Sequence, residues 1–594
     1  MLFFAFAFGL LALTSYLVGV SVGYVSRALS PAYRLGDYWL AATWIGLLTL
    51  GNALLALSLL MPLTPLSGAL LALMLGLPAL TTGRAYMRWP EIWRLLRQQP
   101  AWPVALAAIA VSNGAFFNRP SFIIDAGVYH IGSIEWLSHY GTVPGLALLN
   151  LTLGYGSTWF ALAAPFNAGP LAGRAYNVAN SVAYALLTLH LILAGSRIWR
   201  RTGQPADWFL LTASGLTWLL ATRFLGAIIV SPSPDIPVIV GVVVLAWMFF
   251  LTATPAPPPD TGDARLLVWL MALGLAGVKL NALPVVIIGG CFVFAANRQP
   301  EYLLRAGVLG ALFLAPGVVA RVVMSGYPFF PSRVFGLGLP WQYENPVFTT
   351  DTIRVFAQWS GQKVPPGPDY PLRWLPHWIA HERLATGLLL MQLGVLVWGW
   401  RRWRQWTPAF RWVLALSTAG TLYVMATAPS LRFLLGYPVV AISLGLAALI
   451  LRLAARWQPG VAGMWWERTG HVSIFILAGF LTAALTWLSM LSSNTERLIQ
   501  KAIAAGKVSN TPDHAPGWIR PPRVRRIEYL EGEPPVADTT VRRQLINGIE
   551  VTVPHAICWD LPLPCSPPYH KTGFRLRDPQ RGLFGGFVKG PDKP

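Results

Sequence analysis

From the first residue to about position 493 the chain alternates long apolar runs with short polar breaks, and beyond that point the apolar runs stop. Runs of about 20 apolar residues, wound as helix at 1.5 Å per residue, match the roughly 30 Å hydrocarbon core of a bilayer. They fall at about 2–25, 37–60, 63–82, 101–117, 172–196, 206–223, 236–252, 265–280, 283–297, 306–324, 384–400, 411–428, 433–451 and 472–493. The pattern predicts an all-α polytopic membrane protein with about 14 transmembrane helices. The first run, MLFFAFAFGLLALTSYLVGVSVGYV, has no basic leader and no small-residue cleavage site. It is also too long for a signal-peptide core, so it reads as a retained helix.

Composition strengthens this reading. Hydrophobic residues make up 55% of the chain and charged residues only 12%, against about 25% charged in soluble domains. The net charge of +21 could suggest a nucleic-acid partner, but a nucleic-acid binder gathers its cations on one soluble face. Here they sit between spans. Arg84, Arg88, Arg94 and Arg97 form one cluster, and Arg197, Arg200 and Arg201 a second. Arg401, Arg402, Arg404 and Arg411 form a third, and Arg452, Arg456 and Arg468 a fourth. Arginine-rich loops face the cytoplasm. Placing all four there puts both termini outside, together with residues 118–171, 231–235, 325–383 and 494–594. The expected organisation is an N-terminal group of additional spans (1–100), a transmembrane core (101–493) and an extracytoplasmic C-terminal region (494–594), in the plasma (cell inner) membrane.

The outer loops carry the candidate chemistry. From Ile124 to Tyr140 the spacing predicts an amphipathic helix lying in the membrane interface, with Ile131, Ile134, Trp136 and Leu137 apolar and Asp125, Tyr129, His130 and Glu135 polar. A carboxylate at Asp125 suits a general base, and equally a helix cap. Asp235, in SPSPD ahead of another span, allows the same two readings. Lys279 in AGVKLNALP is costly in an apolar run unless it faces a polar cavity or reaches the surface. Arg333, Arg432 and Arg223 lie at the same outer level, where interfacial anchoring is the plain alternative. Trp136, Tyr140, Trp159, Trp341 and Trp359 could stack on sugar rings or simply belong to an interfacial aromatic belt.

The segments DAGVYHIGSIEWLSHYGTVPGLA (125–147), LGYGSTWF (153–160), SPSPD (231–235) and SGYPFFPS (325–332) resemble the GT-C superfamily of membrane glycosyltransferases, and more closely a group of bacterial GT-C-like membrane proteins. The resemblance implies a polyprenyl-phosphate-linked sugar as donor and a glycan or lipid-linked acceptor. It implies Asp125 as the base, with inversion at the sugar, and Asp235 orienting the acceptor or holding a divalent cation. Lys279, Arg333 and Arg432 would receive the donor phosphate, supported by Tyr129, His130 and Glu135. It also implies a basic residue just before the LG of the second segment, where this chain has Thr152. A transporter or flippase, and a polysaccharide polymerase or ligase, are the competing classes. The first predicts repeats and mid-membrane charge, and the second predicts basic residues in one large outer loop.

In the C-terminal region, Asn547-Gly548 between apolar-polar alternations predicts a β-hairpin. Cys558 and Cys565 bracket WDLPLP, and outside the cytoplasm they suit a disulfide. Zinc would have only His555 and His570 to add. Cys291, inside an apolar run, reads as a small packing residue.

Overall fold

The computed structural model describes residues 2–30, 32–99, 101–117, 121, 123–252, 264–344, 370–456, 542–554, 557–568 and 572–591. In chain order the main helices are α1 (Leu2–Ser26), α2 (Leu35–Ser58), α3 (Pro65–Leu80), α4 (Trp89–Gln98), α5 (Ala101–Phe117), α6 (Ile131–His139) and α7 (Thr158–Ala163). They continue with α8 (Val178–Trp199), α9 (Pro205–Phe224), α10 (Gly226–Ile229), α11 (Asp235–Thr252), α12 (Arg265–Val278), α13 (Leu283–Ala296) and α14 (Pro300–Ser325). The last are α15 (Tyr370–His381), α16 (Arg383–Arg401), α17 (Pro408–Thr427), α18 (Leu431–Leu434) and α19 (Gly436–Arg456). Every expected span on described residues coincides with a helix. The span expected at 472–493, the tail up to 541, Trp359, His555 and His570 lie outside the described residues.

Among the described residues eight helices are long and apolar enough to cross a bilayer, or nine if α3 and the segment after it count as one bent span. The protein is therefore an integral membrane protein. The α12 and α13 helices, at 14 residues each, reach only about 21 Å. They meet at Lys279, so the polar break falls at one end of the bundle. In lipid, helices gain little from burying apolar area against one another and rely on close packing. The α1–α2 contact is of that kind: a Cβ added to Gly19 would lie 1.7 Å from the Ala42 carbonyl oxygen, and one on Gly46 1.7 Å from that of Ser15. Cys291 departs from expectation, since it is exposed on the outer side of α13 and does not pack in the core.

The two ends of the bundle carry different charge arrangements. At one end Arg34 bonds Asp37 (2.7 Å) and Asp207 (2.8 Å), and Arg197 bonds the same two acids (2.6 and 3.0 Å). Two cations and two anions balance, which compensates the desolvation of buried Asp37 and Asp207. The α8 helix begins beside the 231–235 turn and carries Arg197 in its last turn. Its 22 residues separate the two ends by roughly 33 Å.

At the other end, residues 124–139 are helical, as expected, with a wider π turn over Ala126–His130. The apolar face of this helix meets protein: Ile131 and Ile134 are fully buried and Trp136 is 1% exposed. The C-terminal region explains this by covering it. Strands β1 (Arg542–Ile546) and β2 (Ile549–Val553) pair antiparallel around Asn547 and Gly548, whose φ values of 47° and 81° fit the expected hairpin turn. Strands β3 (Phe574–Leu576) and β4 (Phe587–Lys589) form a second hairpin. The Phe587 amide donates to the Pro144 carbonyl (2.9 Å), the Trp559 amide to that of Gly127 (2.9 Å), and the Ser566 hydroxyl to that of Leu149 (2.6 Å). A Cβ at Gly127 would come within 2.5 Å of the Trp559 indole, so a glycine is needed where the cap touches the helix. Cys558 and Cys565 form a disulfide that closes the segment around Trp559.

Candidate functional site

Four residues remote in sequence meet beneath this cap. Asp125 begins the loop helix after α5. Asp235 heads α11, Lys279 follows α12, and Arg432 lies in the short α18 turn. Arg432 Nη1 donates to Asp125 Oδ2, and its Nε lies 3.9 Å from Asp235 Oδ2. Lys279 Nζ donates to Asp235 Oδ1. The order is acid, base, acid, base, and the net charge is zero. Asp235 is buried at 2% exposure, while the side chains of Asp125, Lys279 and Arg432 keep 21%, 24% and 16%. Those three line the open side.

Each position has a local cause. The SPSPD turn is clamped by Asn180, whose amide donates to the carbonyls of Ser231 (2.5 Å) and Ser233 (3.1 Å) and accepts from the Trp159 indole (2.7 Å). Ser233 Oγ accepts from the Asp235 amide (3.3 Å). Lys279 is extended (φ −159°) at the end of α12, and the Ser157 hydroxyl bonds the carbonyl of Val278 beside it (2.7 Å). The Phe433 ring faces both cations, at 4.2 Å from Lys279 Nζ and 4.6 Å from Arg432 Cζ, a contact that steadies desolvated charge. The Trp378 indole holds α18 through the Pro429 carbonyl (2.7 Å).

Burial by itself would raise the Asp125 carboxyl, but Arg432 beside it holds it below the usual range, with help from Lys279. Burial would lower Arg432, and Asp125 and Asp235 instead push it up. The Asp125–Arg432 pair is therefore charged at rest. His130 differs: burial drives it down to about 4 against the pull of Asp125 and Asp235, so it is neutral at pH 7. The unfolded chain, with an ordinary value near 6.5, binds this proton first as pH falls. His130 should thus cost stability progressively from pH 6.5 down to 4, by roughly 3 kcal/mol in full. Melting of wild type and His130→Gln across that window should show the midpoint falling less steeply in the variant.

The other expected residues divide. Tyr129 is buried, with its ring 4.3 Å from His130 and 5.3 Å from Tyr155, and it walls the site. Glu135 is not in the quartet: it accepts from the Tyr176 hydroxyl and lies 3.3 Å from His139. Arg333 is exposed in the loop after α14 and joins none of the four. Arg223 is exposed over Phe224. Trp136 and Trp159 are buried in the core, and Trp341 is tied by its indole to the Val322 carbonyl (3.1 Å).

Two residues that sequence reasoning passed over matter here. Asn180 sits in an apolar span and signals its role only as an amide in hydrocarbon. Arg321, 4% exposed within α14, donates to the carbonyls of Tyr155 (3.2 Å) and Pro328 (3.5 Å). It has no carboxylate partner among the described residues. The ring of Tyr155 in turn lies 5.3 Å from that of Tyr129. A divalent cation does not fit well: both carboxylates already face cations, and no third His, Cys, Asp or Glu joins them among the described residues.

The profile of a family described as "Domain of unknown function (DUF8201)" matches residues 1–439. The chain belongs to this family. The DUF8201 stretch contains Asp125, Asp235, Lys279, Arg432 and Arg321, whereas the hairpin cap lies beyond it. No curated protein matches the chain. Among solved structures, the chain is similar to ArnT from Cupriavidus metallidurans, crystallised with undecaprenyl phosphate. The identity is 17%, the alignment covers 71% of this chain and 81% of that one, and the TM-score is 0.30.

Proposed function

We propose that this protein is a membrane glycosyltransferase of the GT-C kind, moving a sugar from a polyprenyl-phosphate donor to an extracytoplasmic glycan or lipid-linked acceptor. The observation that carries the reading is the alternating quartet at one end of the bundle, with two cations partly open beside a carboxylate. Transfer from a lipid phosphate needs a base for the acceptor and positive charge for the leaving group. Asp125 takes the proton of the acceptor hydroxyl. The oxygen attacks the anomeric carbon from the face opposite the phosphate, the C1–O bond breaks with inversion, and polyprenyl phosphate departs with the bonding pair.

Lys279 and Arg432 receive the phosphate, with Arg321 as a further cation behind Tyr155. Asp235 holds Lys279 and Arg432 in place and orients the acceptor. The ion pairs give the site a gate. In the resting state Arg432 keeps Asp125 a poor base, and a donor phosphate competing for Arg432 releases the carboxylate and raises its proton affinity. Base strength then appears only once donor is bound. Arg333 receives no role. A transporter or flippase would carry its ionisable groups near mid-membrane, and the quartet lies instead where α11 and α19 begin.

Cells lacking the protein should accumulate a lipid-linked sugar and lose one residue from an envelope glycan, read by mass spectrometry of lipid and glycan fractions. Unchanged lipid-linked sugars together with unchanged glycans would overturn the proposal.

A further inference from the structure

At the end of the bundle opposite the quartet, α2, α4, α5 and α8 leave a cleft of about 330 Å3, open on one side. Its walls are apolar, built from Trp39, Ile92, Leu96, Leu106 and Leu193. One edge is cationic. Arg197 there is already paired with Asp37 and Asp207. Arg200 is not: it has no carboxylate partner among the described residues, its Nη2 donates only to the Gln99 side-chain oxygen (3.1 Å), and its Nε is buried with no partner. Burial lowers its proton affinity with nothing to offset it. A guanidinium held this way, at the rim of an apolar cleft, is suited to an amphiphilic anion.

The location favours a membrane lipid. The segment carrying α4 bends by 100° from α3, so α4 lies across the helix ends. Its Ile92, Leu95 and Leu96 face the cleft while Trp89 and Trp93 are 54% and 48% exposed. A short amphipathic helix with exposed Trp and with Arg94 and Arg97 on its polar side is the arrangement of an interfacial helix. The cleft mouth is then at headgroup depth, and basic pockets between spans at that depth hold lipid phosphates.

We infer that this cleft binds one anionic glycerophospholipid, its acyl chains along the α2–α4–α8 wall and its phosphate on Arg200. The site is independent of the quartet. The full chain, purified and exchanged into mixed micelles with phosphatidylglycerol, should retain one such lipid in native mass spectrometry. Arg200→Gln should cut retention about tenfold, Arg200→Lys should keep most of it, and Leu96→Trp, which fills the apolar wall, should lose it while keeping the arginine. Asp125→Asn should leave retention unchanged. Wild-type retention in both Arg200→Gln and Leu96→Trp would overturn the inference, as would equal retention of phosphatidylcholine or selective retention of a polyprenyl phosphate. If Arg200→Gln fails to fold, Leu96→Trp decides alone.

Discussion

Replacing Asp125 with asparagine is expected to lower sugar transfer by about 10²–10⁴-fold, the usual contribution of a positioned general base. The substitution keeps the shape and a hydrogen-bond acceptor for Arg432, and Asp235 remains 3.9 Å from the same guanidinium. The protein should therefore stay folded, with a loss of about 1–3 kcal/mol. Transfer from a lipid-linked sugar in proteoliposomes, with melting of the same samples, separates the two effects. Unchanged transfer in a folded Asp125→Asn protein would remove Asp125 as the base. The pH profile offers a second readout. Arg432 holds the Asp125 carboxyl below its usual range in the resting protein, so the acidic limb of kcat/KM should lie below about pH 4. Arg432→Gln removes the neighbouring cation, and the limb should move to higher pH while the rate falls.

The second large effect concerns stability. Asp235 is the buried acid between two cations, and Asp235→Asn leaves Lys279 without its carboxylate. Breaking a buried pair from one side costs about 3–5 kcal/mol, whereas replacing both members with apolar groups is often neutral. Asp235→Asn should thus melt well below wild type, and Asp235→Asn/Lys279→Met should recover most of the difference. Transfer should not recover, because the double variant has lost a phosphate-facing cation. If the double variant melts no higher than the single one, the ion pair is not what holds the end of α12. If it regains transfer, Lys279 has no part in the reaction.

Much of the scaffold was legible because membranes impose a simple rule. Every backbone polar group must be satisfied inside the bilayer, so a run of apolar residues is necessarily helical. That is why the expected spans on described residues all coincide with helices, and why Asn547-Gly548 marked its hairpin: both signals are local. The helix at 124–139 shows the limit. Its amphipathic pattern indicates an apolar face, but a pattern cannot say whether that face meets lipid or protein. The hairpin cap from residues more than 400 positions later buries it. Cys291 is the converse case, since in a hydrocarbon-soluble stretch inward and outward faces have similar composition.

The candidate acids and bases divide on the same principle. Sequence by itself determined that the chain is a helical membrane protein, that Asp125, Asp235, Lys279 and Arg432 are polar groups in costly surroundings, and that a hairpin follows the spans. Each of these follows from one residue's transfer energy or from a short-range turn preference. Only the tertiary structure decided that these four groups neutralise one another while Arg333 and Glu135 stay apart, and that Asn180 clamps the Asp235 turn. It alone leaves Arg321 and Arg200 without carboxylate partners among the described residues. Charge pairing depends on distances of a few ångströms between elements up to about 300 residues apart, and helix packing sets those distances.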